Sequence, residues 1–275
     1  AGAVETFSIE AMMQDNKALQ AATSHDLGQN FAKAFDVKYQ GADGQVEHVW
    51  ATSWGMSTRI IGALIMTHSD DDGLVLPPRI AGTKAVIVPI WKNDEEMAEL
   101  VAAADRLAAM LRPVIGPVHV DKRDKMRPGW KYAEWEAKGV PLRLELGPRD
   151  LAGQQVMMAA RHDRKKQAAG FATLAETVQA ELERIQQDLY DRALARREAA
   201  TFTVDTWDDF QDLFANRGGG FAQCHWCGDG DCEKQIQEET KVTIRNMPFG
   251  RDETPGACVR CGKPSIGRVV FAQSY

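Results

Sequence analysis

The chain has 275 residues, of which 44% are hydrophobic and 26% charged, and its formal net charge is −6. That length holds two or three compact units, each able to bury a core, and the composition is ordinary for a soluble globular protein. No apolar run approaches the roughly 20 residues needed to span a bilayer, so no membrane association is expected, and the acidic total argues against indiscriminate nucleic-acid binding.

Residues 1–75 read as mixed structure. The chain opens at Ala1 with neither an initiator Met nor a basic-then-apolar signal segment, and a piece of a longer protein is expected. Phe31, Ala32, Ala34 and Phe35 sit at helical spacing, His48 to Ser53 reads as a buried strand, and Ser57 to Thr67 as an apolar helix. The turn at 70–73 and the proline-stiffened stretch 74–78 put a domain boundary near residue 75.

From residue 84 to about 165 the pattern alternates between strand and helix. Ala85 to Ile90 is wholly apolar, as suits a central strand. Asn93 with Glu96 resembles a helix cap and its reciprocal carboxylate. Met97, Leu100, Val101, Ala104, Leu107, Ala108 and Leu111 form an apolar stripe expected to end at Pro113. Val118–Val120, Pro141–Leu146 and Val156–Arg161 follow as strands, giving a small α/β domain with a parallel or mixed sheet. Phe171 to about Arg197 reads as a long helix leading out of it. Residues 76–170 hold 17 Lys and Arg against 12 Asp and Glu, whereas the remainder holds 16 against 27. A basic middle between acidic flanks suits a local polyanion contact, and equally an uneven solvated surface.

The tail, 201–275, carries Trp207, Phe210, Phe214, the run Gly218–Gly220 and all five cysteines: Cys224, Cys227, Cys232, Cys258 and Cys261. So short and loop-rich a unit calls for a metal staple. An odd number of clustered cysteines reads as metal binding in a reducing compartment, hence a cytoplasmic location, rather than as disulfides. Two thiolate knuckles suit tetrahedral zinc in a closed site, and spacing alone selects Cys224 and Cys227 for the first knuckle.

Two further constellations carry chemistry. In Lys17–His25 (KALQAATSH) and Thr52–Arg59 (TSWGMSTR), Gln20 and Thr23 offer neutral hydrogen bonds and His25 a titratable ring. Arg59, near the start of the apolar helix, can face a polyphosphate. Singly, the same residues serve as a structural histidine and a surface arginine. In Pro128–Glu136 and Gly139–Asp150, Leu142, Leu144 and Leu146 alternate with Arg143 and Glu145. Guanidinium groups pair with guanine edges and carboxylates accept from base amino groups, while Trp130, Tyr132 and Trp135 could stack on splayed bases. An edge strand with surface ion pairs is the alternative. The run Arg161–Lys166 suits phosphate contacts or a solvated basic turn.

Residues 10–13 (EAMM), 17–35 and 52–81 together resemble the prolyl-tRNA synthetases of the archaeal/eukaryotic-like type, and 52–81 looks like motif 3 of class II synthetases. The resemblance implies the end of a class II antiparallel-sheet catalytic domain over 1–75, an α/β anticodon-binding domain over 76–198, and a small zinc-bearing α+β domain over 199–275. It implies ATP contacts from Gln20, Thr23, Ser57, Thr58 and Arg59, with Arg59 catalytic, and a proline pocket lined by His25. Glu136, Arg143, Arg149 and Asp150 match positions that read two adjacent anticodon guanines. The family's cysteine pattern points to Cys227, Cys232, Cys258 and Cys261 as zinc ligands, with Cys224 or His225 as a substitute. Three positions depart from that pattern: Ala22 replaces a usual Gly, Arg149 stands where Lys occurs, and two residues separate the later cysteines instead of one.

The activity so implied is that of a proline–tRNA ligase. ATP with Mg2+ activates L-proline to prolyl-adenylate, and the prolyl group passes to tRNA-Pro. Class II motifs 1 and 2 do not occur in this sequence, so the isolated chain is expected to be inactive and the homodimer to form through the missing catalytic portion. A non-catalytic anticodon-binding fragment or regulatory paralogue is the alternative, and a zinc-dependent scaffold without an RNA role a third. Phe271–Tyr275 resembles a C-terminus that folds back toward the catalytic domain, implying a role for its carboxylate.

Overall fold

Strand β1 (Glu5–Met12) turns back into β2 (Ala18–Gly28), and the pair is antiparallel. After a short helix α1 (Asn30–Ala34) come the hairpin β3 (Lys38–Gln40) and β4 (Val46–His48), then β5 (Ala51–Gly55), which completes a sheet of order β1-β2-β5. The computed structural model describes residues 2–275; Ala1, where the first expected domain begins, lies outside them. The stretch His48 to Ser53 is not the single buried strand its composition suggests. It breaks at Val49 and Trp50, and Trp50 and Trp54 are 73% and 77% exposed. As an edge strand β5 pairs on one flank only, and the Trp54 side of it is uncovered among the described residues.

Helix α2 (Arg59–His68) buries Ala63 against Met13 and Leu19. Beyond it, β6 (Ala85–Pro89) is buried throughout. In α3 (Asp94–Ile115), Asn93 caps the first turn by accepting from the Glu96 N–H at 2.9 Å, and Glu96 returns a bond to Lys92 N. The stripe from Leu100 to Leu111 forms the core, but the helix runs through Pro113 instead of stopping there. Pro113 removes one main-chain hydrogen bond from the last turn without ending the helix, and Gly116 at φ 90° closes it through its N–H to Arg112 O.

Strand β7 (Val118–Val120), helix α4 (Pro128–Ala137), β8 (Leu142–Leu146), the short α5 (Pro148–Ala152), β9 (Gln155–Ala160) and β10 (Lys166–Gly170) complete a five-stranded sheet of order β10-β9-β8-β6-β7. β6 is parallel to both β7 and β8, and β9 and β10 are antiparallel additions. Ala85, Ile87, Leu142, Leu144 and Leu146 face α3 and the long helix α6 (Leu174–Ala199) in one core. Val86 and Val88 face α4 through Tyr132 and Trp135 on the other side.

The tail is more regular than its composition suggests. β11 (Thr201–Thr203), β12 (Phe221–His225), β13 (Thr243–Asn246) and β14 (Arg268–Ala272) form a sheet of order β11-β12-β14-β13. Against it pack α7 (Trp207–Ala215) and α8 (Gly230–Thr240) around Phe210, Ile236 and Phe271, with Phe210 and Phe271 edge-to-face at 5.4 Å.

Contacts group the chain up to Thr67 with Arg196–Tyr275 in one compact unit and His68–Ala195 in another. Within the first, Met12 and Ala18 pack with Ala200, Phe221, Val270 and Ala272. Arg245 on β13 donates twice to Glu10 of β1, at 3.0 and 3.1 Å. The last residues run beside β2: Ala18 N donates to Gln273 O at 2.8 Å, and Tyr275 Oη donates to Asp15 at 2.6 Å. No helix among the described residues is long and apolar enough to cross a membrane.

Candidate functional site

On β2, one irregularity decides which side chains act together. Thr6 opposes His25 and Ser8 opposes Thr23, but Glu10 opposes Gln20, so Ala21 is an extra residue that the partner strand does not match. Directly opposed residues share a face, and β1 alternates regularly. The bulge therefore brings Gln20, Thr23 and His25 to one face despite their uneven spacing. His25 Nδ1 lies 2.9 Å from Thr6 Oγ1, and the ring borders a cavity of about 460 Å³ with Ser53 and Phe31. Thr23 opposes Gly55 on β5, and two residues later Ser57 and Thr58 open the turn into α2. Ser57 Oγ accepts from Arg59 N at 3.3 Å, leaving the Arg59 side chain exposed at the helix start.

The second constellation forms a polar cluster on the α4 side of the sheet. Arg143 projects from β8 away from the leucines and is 8% exposed. Its Nη1 donates to Glu136, its Nε and Nη2 donate to Glu145 at 3.1 and 3.0 Å, and its guanidinium lies 4.0 Å above the Tyr132 ring. Lys166 adds a bond to Glu145 at 2.9 Å. Burial, reinforced by the nearby Glu145 charge, pushes the Tyr132 phenol up to about 12. Glu136 stays 41% exposed at the mouth of a cavity of about 240 Å³. Arg149 is exposed on α5, and Asp150 accepts from Gly147 N at 2.9 Å, capping that helix. β8 lies between β6 and β9, so the edge-strand alternative does not hold.

Two of the three expected stacking aromatics are occupied. Arg143 covers Tyr132, and Trp135 packs against His119 while its Nε1 donates to Asp121 at 2.8 Å. Trp130 is 70% exposed. The basic run is likewise divided: Arg161 and His162 are buried, and only Arg164, Lys165 and Lys166 are exposed.

Four cysteines come together in the tail. Cys227 follows β12, Cys232 lies in the first turn of α8, and Cys258 and Cys261 share a turn closed by Gly262 N to Cys258 O at 2.9 Å. Their sulfurs lie within 4.8 Å of one another, with Cys232 and Cys258 3.8 Å apart. Four thiolates about 2.3 Å from one tetrahedral ion stand about 3.8 Å apart, so the set fits zinc. Burial disfavours ionisation of Cys258, but the main-chain N–H groups of Cys261 and Arg260 outweigh it and bring the thiol down to about 7. Cys224 is outside the group. It is fully buried on β12 opposite Val269, and burial pushes its thiol far up. His225 bonds Ser265 through Nδ1 at 2.8 Å and packs against Gly256.

Residues 84–181 match the anticodon binding domain family, and residues 207–275 match the family described as prolyl-tRNA synthetase, C-terminal. All 275 residues align at 50% identity with proteins named proline–tRNA ligase from Christiangramia forsetii and Flavobacterium johnsoniae, covering 56% of each. A protein of that name from Porphyromonas gingivalis is 49% identical, with 55% of its length covered. The chain is therefore similar over its whole length to proline–tRNA ligases and carries the C-terminal prolyl-tRNA synthetase segment. It spans a little over half the length of the curated relatives it matches.

The anticodon-binding match runs from β6 into α6 and so contains the whole Arg143 cluster. The synthetase C-terminal match contains all four clustered cysteines. Sequence reasoning missed Arg161 as an anchor in the first of these segments. A distant partner for a buried arginine leaves no local signal, because Asp70 lies 91 residues away. Tyr132 as a platform for Arg143 was similarly illegible.

Proposed function

We propose that the chain is the anticodon-reading and zinc-stapled portion of a proline–tRNA ligase, which activates L-proline with ATP and Mg2+ and passes it to tRNA-Pro. The observation that carries this reading is the Arg143–Glu136 pair inside the anticodon-binding segment. A carboxylate accepts from the N1–H and exocyclic amino group of guanine. Arg143 holds Glu136 by one oxygen, and the residue stays exposed enough to meet a base. Exposed Arg149 would supply donors to the guanine acceptors, and Asp150, using Oδ2 as a cap, retains Oδ1 for a base amino group.

The functional division is 1–75 as the end of a class II catalytic domain, 76–198 as the anticodon-binding domain and 199–275 as the zinc domain. In the first, the common face of Gln20, Thr23 and His25, beside the turn holding Ser57, Thr58 and Arg59, supports ATP and proline sites. Such residues act by orienting reactants and balancing phosphate charge. Zinc held by Cys227, Cys232, Cys258 and Cys261 would fill a closed site and supply folding free energy without a catalytic water. A cytoplasmic homodimer completes the reading.

The test is binding of stem–loop RNAs that carry either two adjacent guanines or substituted bases in the loop. Glu136→Gln is expected to reduce the preference for guanines while sparing the weaker, base-independent binding. Equal losses on both RNAs would reassign Glu136 to a structural role and remove the support for anticodon reading.

A further inference from the structure

The carboxyl edge of the second unit's sheet carries a crevice that the polar cluster does not use. β6 and β7 are parallel neighbours, yet the chain leaves them for opposite faces. Trp91 leads toward α3, which packs on the leucine side, whereas 121–127 lead into α4 on the valine side. Loops that diverge in this way open a gap at the strand ends, where sheets of this kind take ligands. Here the gap has a volume of about 260 Å³ and is lined by Trp91, Lys125, Arg127 and Lys131.

Its charge is surplus. Lys131 is 2% exposed, donates to Asp121 O at 3.2 Å, and lies 4.7 Å above the Trp91 ring. The Asp121 carboxylate stands 3.9 Å from Lys131 and is already taken by Arg123, at 2.6 and 2.9 Å, and by Trp135. Lys125 and Arg127 are exposed at the rim, and neither forms an ion pair among the described residues; Asp124 is the one acidic residue in the lining. Three cations around an aromatic ring suit an anionic group carried next to a base. The same edge carries Arg149 and Asp150, because α5 follows the carboxyl end of β8, and Ile90 N to Leu146 O at 2.9 Å joins the two exits.

We propose that this crevice binds a phosphodiester group of single-stranded RNA, belonging to a nucleotide adjacent to the guanines read at Glu136 and Arg149. The inference rests on the RNA-reading function above and adds a contact that raises affinity without sequence preference.

The test uses the 275-residue chain and a stem–loop RNA with two adjacent guanines. Lys125→Gln with Arg127→Gln alters only exposed side chains. It is expected to weaken binding by about tenfold and to make the logarithmic salt slope shallower by about 0.7, the equivalent of one phosphate contact on a single strand. The loss should be the same for a guanine-substituted loop. Replacing loop phosphates one at a time by neutral methylphosphonates should find one position that harms the wild type and leaves the double variant unaffected. Unchanged affinity and slope in the double variant, with Glu136→Gln still losing guanine preference, overturns the crevice and leaves the reading function standing. Competition by inorganic phosphate without any position-dependent methylphosphonate effect assigns the crevice to a free anion, and also overturns it. A wild-type chain with no guanine preference overturns both.

Discussion

Arg161 donates through Nε to the main-chain oxygen of Glu136 at 3.0 Å. Its remaining N–H groups hold the Asp70 carboxylate and Gly73 O, so one guanidinium ties the turn after α2 to the end of α4. Glu136 is thereby fixed twice, by Arg161 at its backbone and by Arg143 at its carboxylate. Gly139 and Gly73 complete the junction. A Cβ at Gly73 would meet the Ala137 backbone at 2.5 Å, and one at Gly139 would meet Leu74 at 2.6 Å. Positive φ at both positions excludes other residues a second time.

Arg161→Lys should therefore cost about 3 kcal/mol or more, since one ammonium cannot span three acceptors and a buried charge loses its partners. Asp70 is 41% exposed, so Asp70→Asn should cost less, about 1–2 kcal/mol. The Arg161 hydrogen bonds hold the Asp70 carboxyl below its usual range. Its contribution is present above the unfolded value, about 3.9, and is lost as pH falls through the lower folded value. Urea unfolding of wild type and Asp70→Asn across acid pH should show the difference between them vanishing at the low end.

Arg143 faces a stricter requirement than charge. It bridges Glu136 and Glu145 and stacks on Tyr132, a geometry open to a planar fork and closed to an ammonium. Arg143→Lys should lower the guanine preference by about 1–3 kcal/mol, the size of one good base contact, nearly as much as Arg143→Ala. Lys165→Gln, at an exposed residue paired with Asp163, should weaken all RNAs alike and reduce salt sensitivity. Full retention of guanine preference in Arg143→Lys would mean that Glu136 needs no orientation.

The Tyr132 phenol, raised to about 12 by burial, gives a signal at the other end of the pH scale. A folded value above the unfolded one stabilises the fold fully below about 10 and loses that contribution as pH rises through 12. Stability should fall over this window in wild type and fall less in Tyr132→Phe. Ultraviolet difference titration should find one fewer late-ionising tyrosine in the variant, Tyr275 remaining as the other phenol raised to about 12, by its bond to Asp15.

What was legible in the sequence was whatever rests on local pattern. The apolar run of β6, the stripe of α3, the Asn93 cap and the alternating leucines of β8 all follow from period and burial. The bulge at Ala21 was not, because it breaks the very period by which a strand is read, and Gln20, Thr23 and His25 fit neither a strand nor a helix face until the register with β1 is known. Composition also overstated burial at Trp50 and Trp54, since Trp50 lies in the break before β5 and Trp54 on an edge strand. In the tail, spacing favoured Cys224 with Cys227, but Cys224 is buried in the apolar core on β12, opposite Val269 and outside the group of four converging thiols.

That separation yields a sharp test of the proposed zinc site. Cys232→Ser removes one of four converging sulfurs, so zinc per chain should fall and the tail should become sensitive to protease, because a closed structural site contributes to folding. Chelation of the wild-type protein should produce the same loosening. Cys224→Ala should keep its zinc, since the sulfur lies outside the group, and should cost only the packing of one buried atom. Cys224→Ser is the more damaging choice, as it puts a hydroxyl into an apolar core at a cost of about 1–3 kcal/mol. It should nevertheless retain metal wherever it folds. Zinc measured on purified variants, with unfolding followed beside it, separates the two effects. Metal lost in Cys224→Ala and kept in Cys232→Ser would mean that the four thiols brought together between β12, α8 and the 258–261 turn are not the ones that bind.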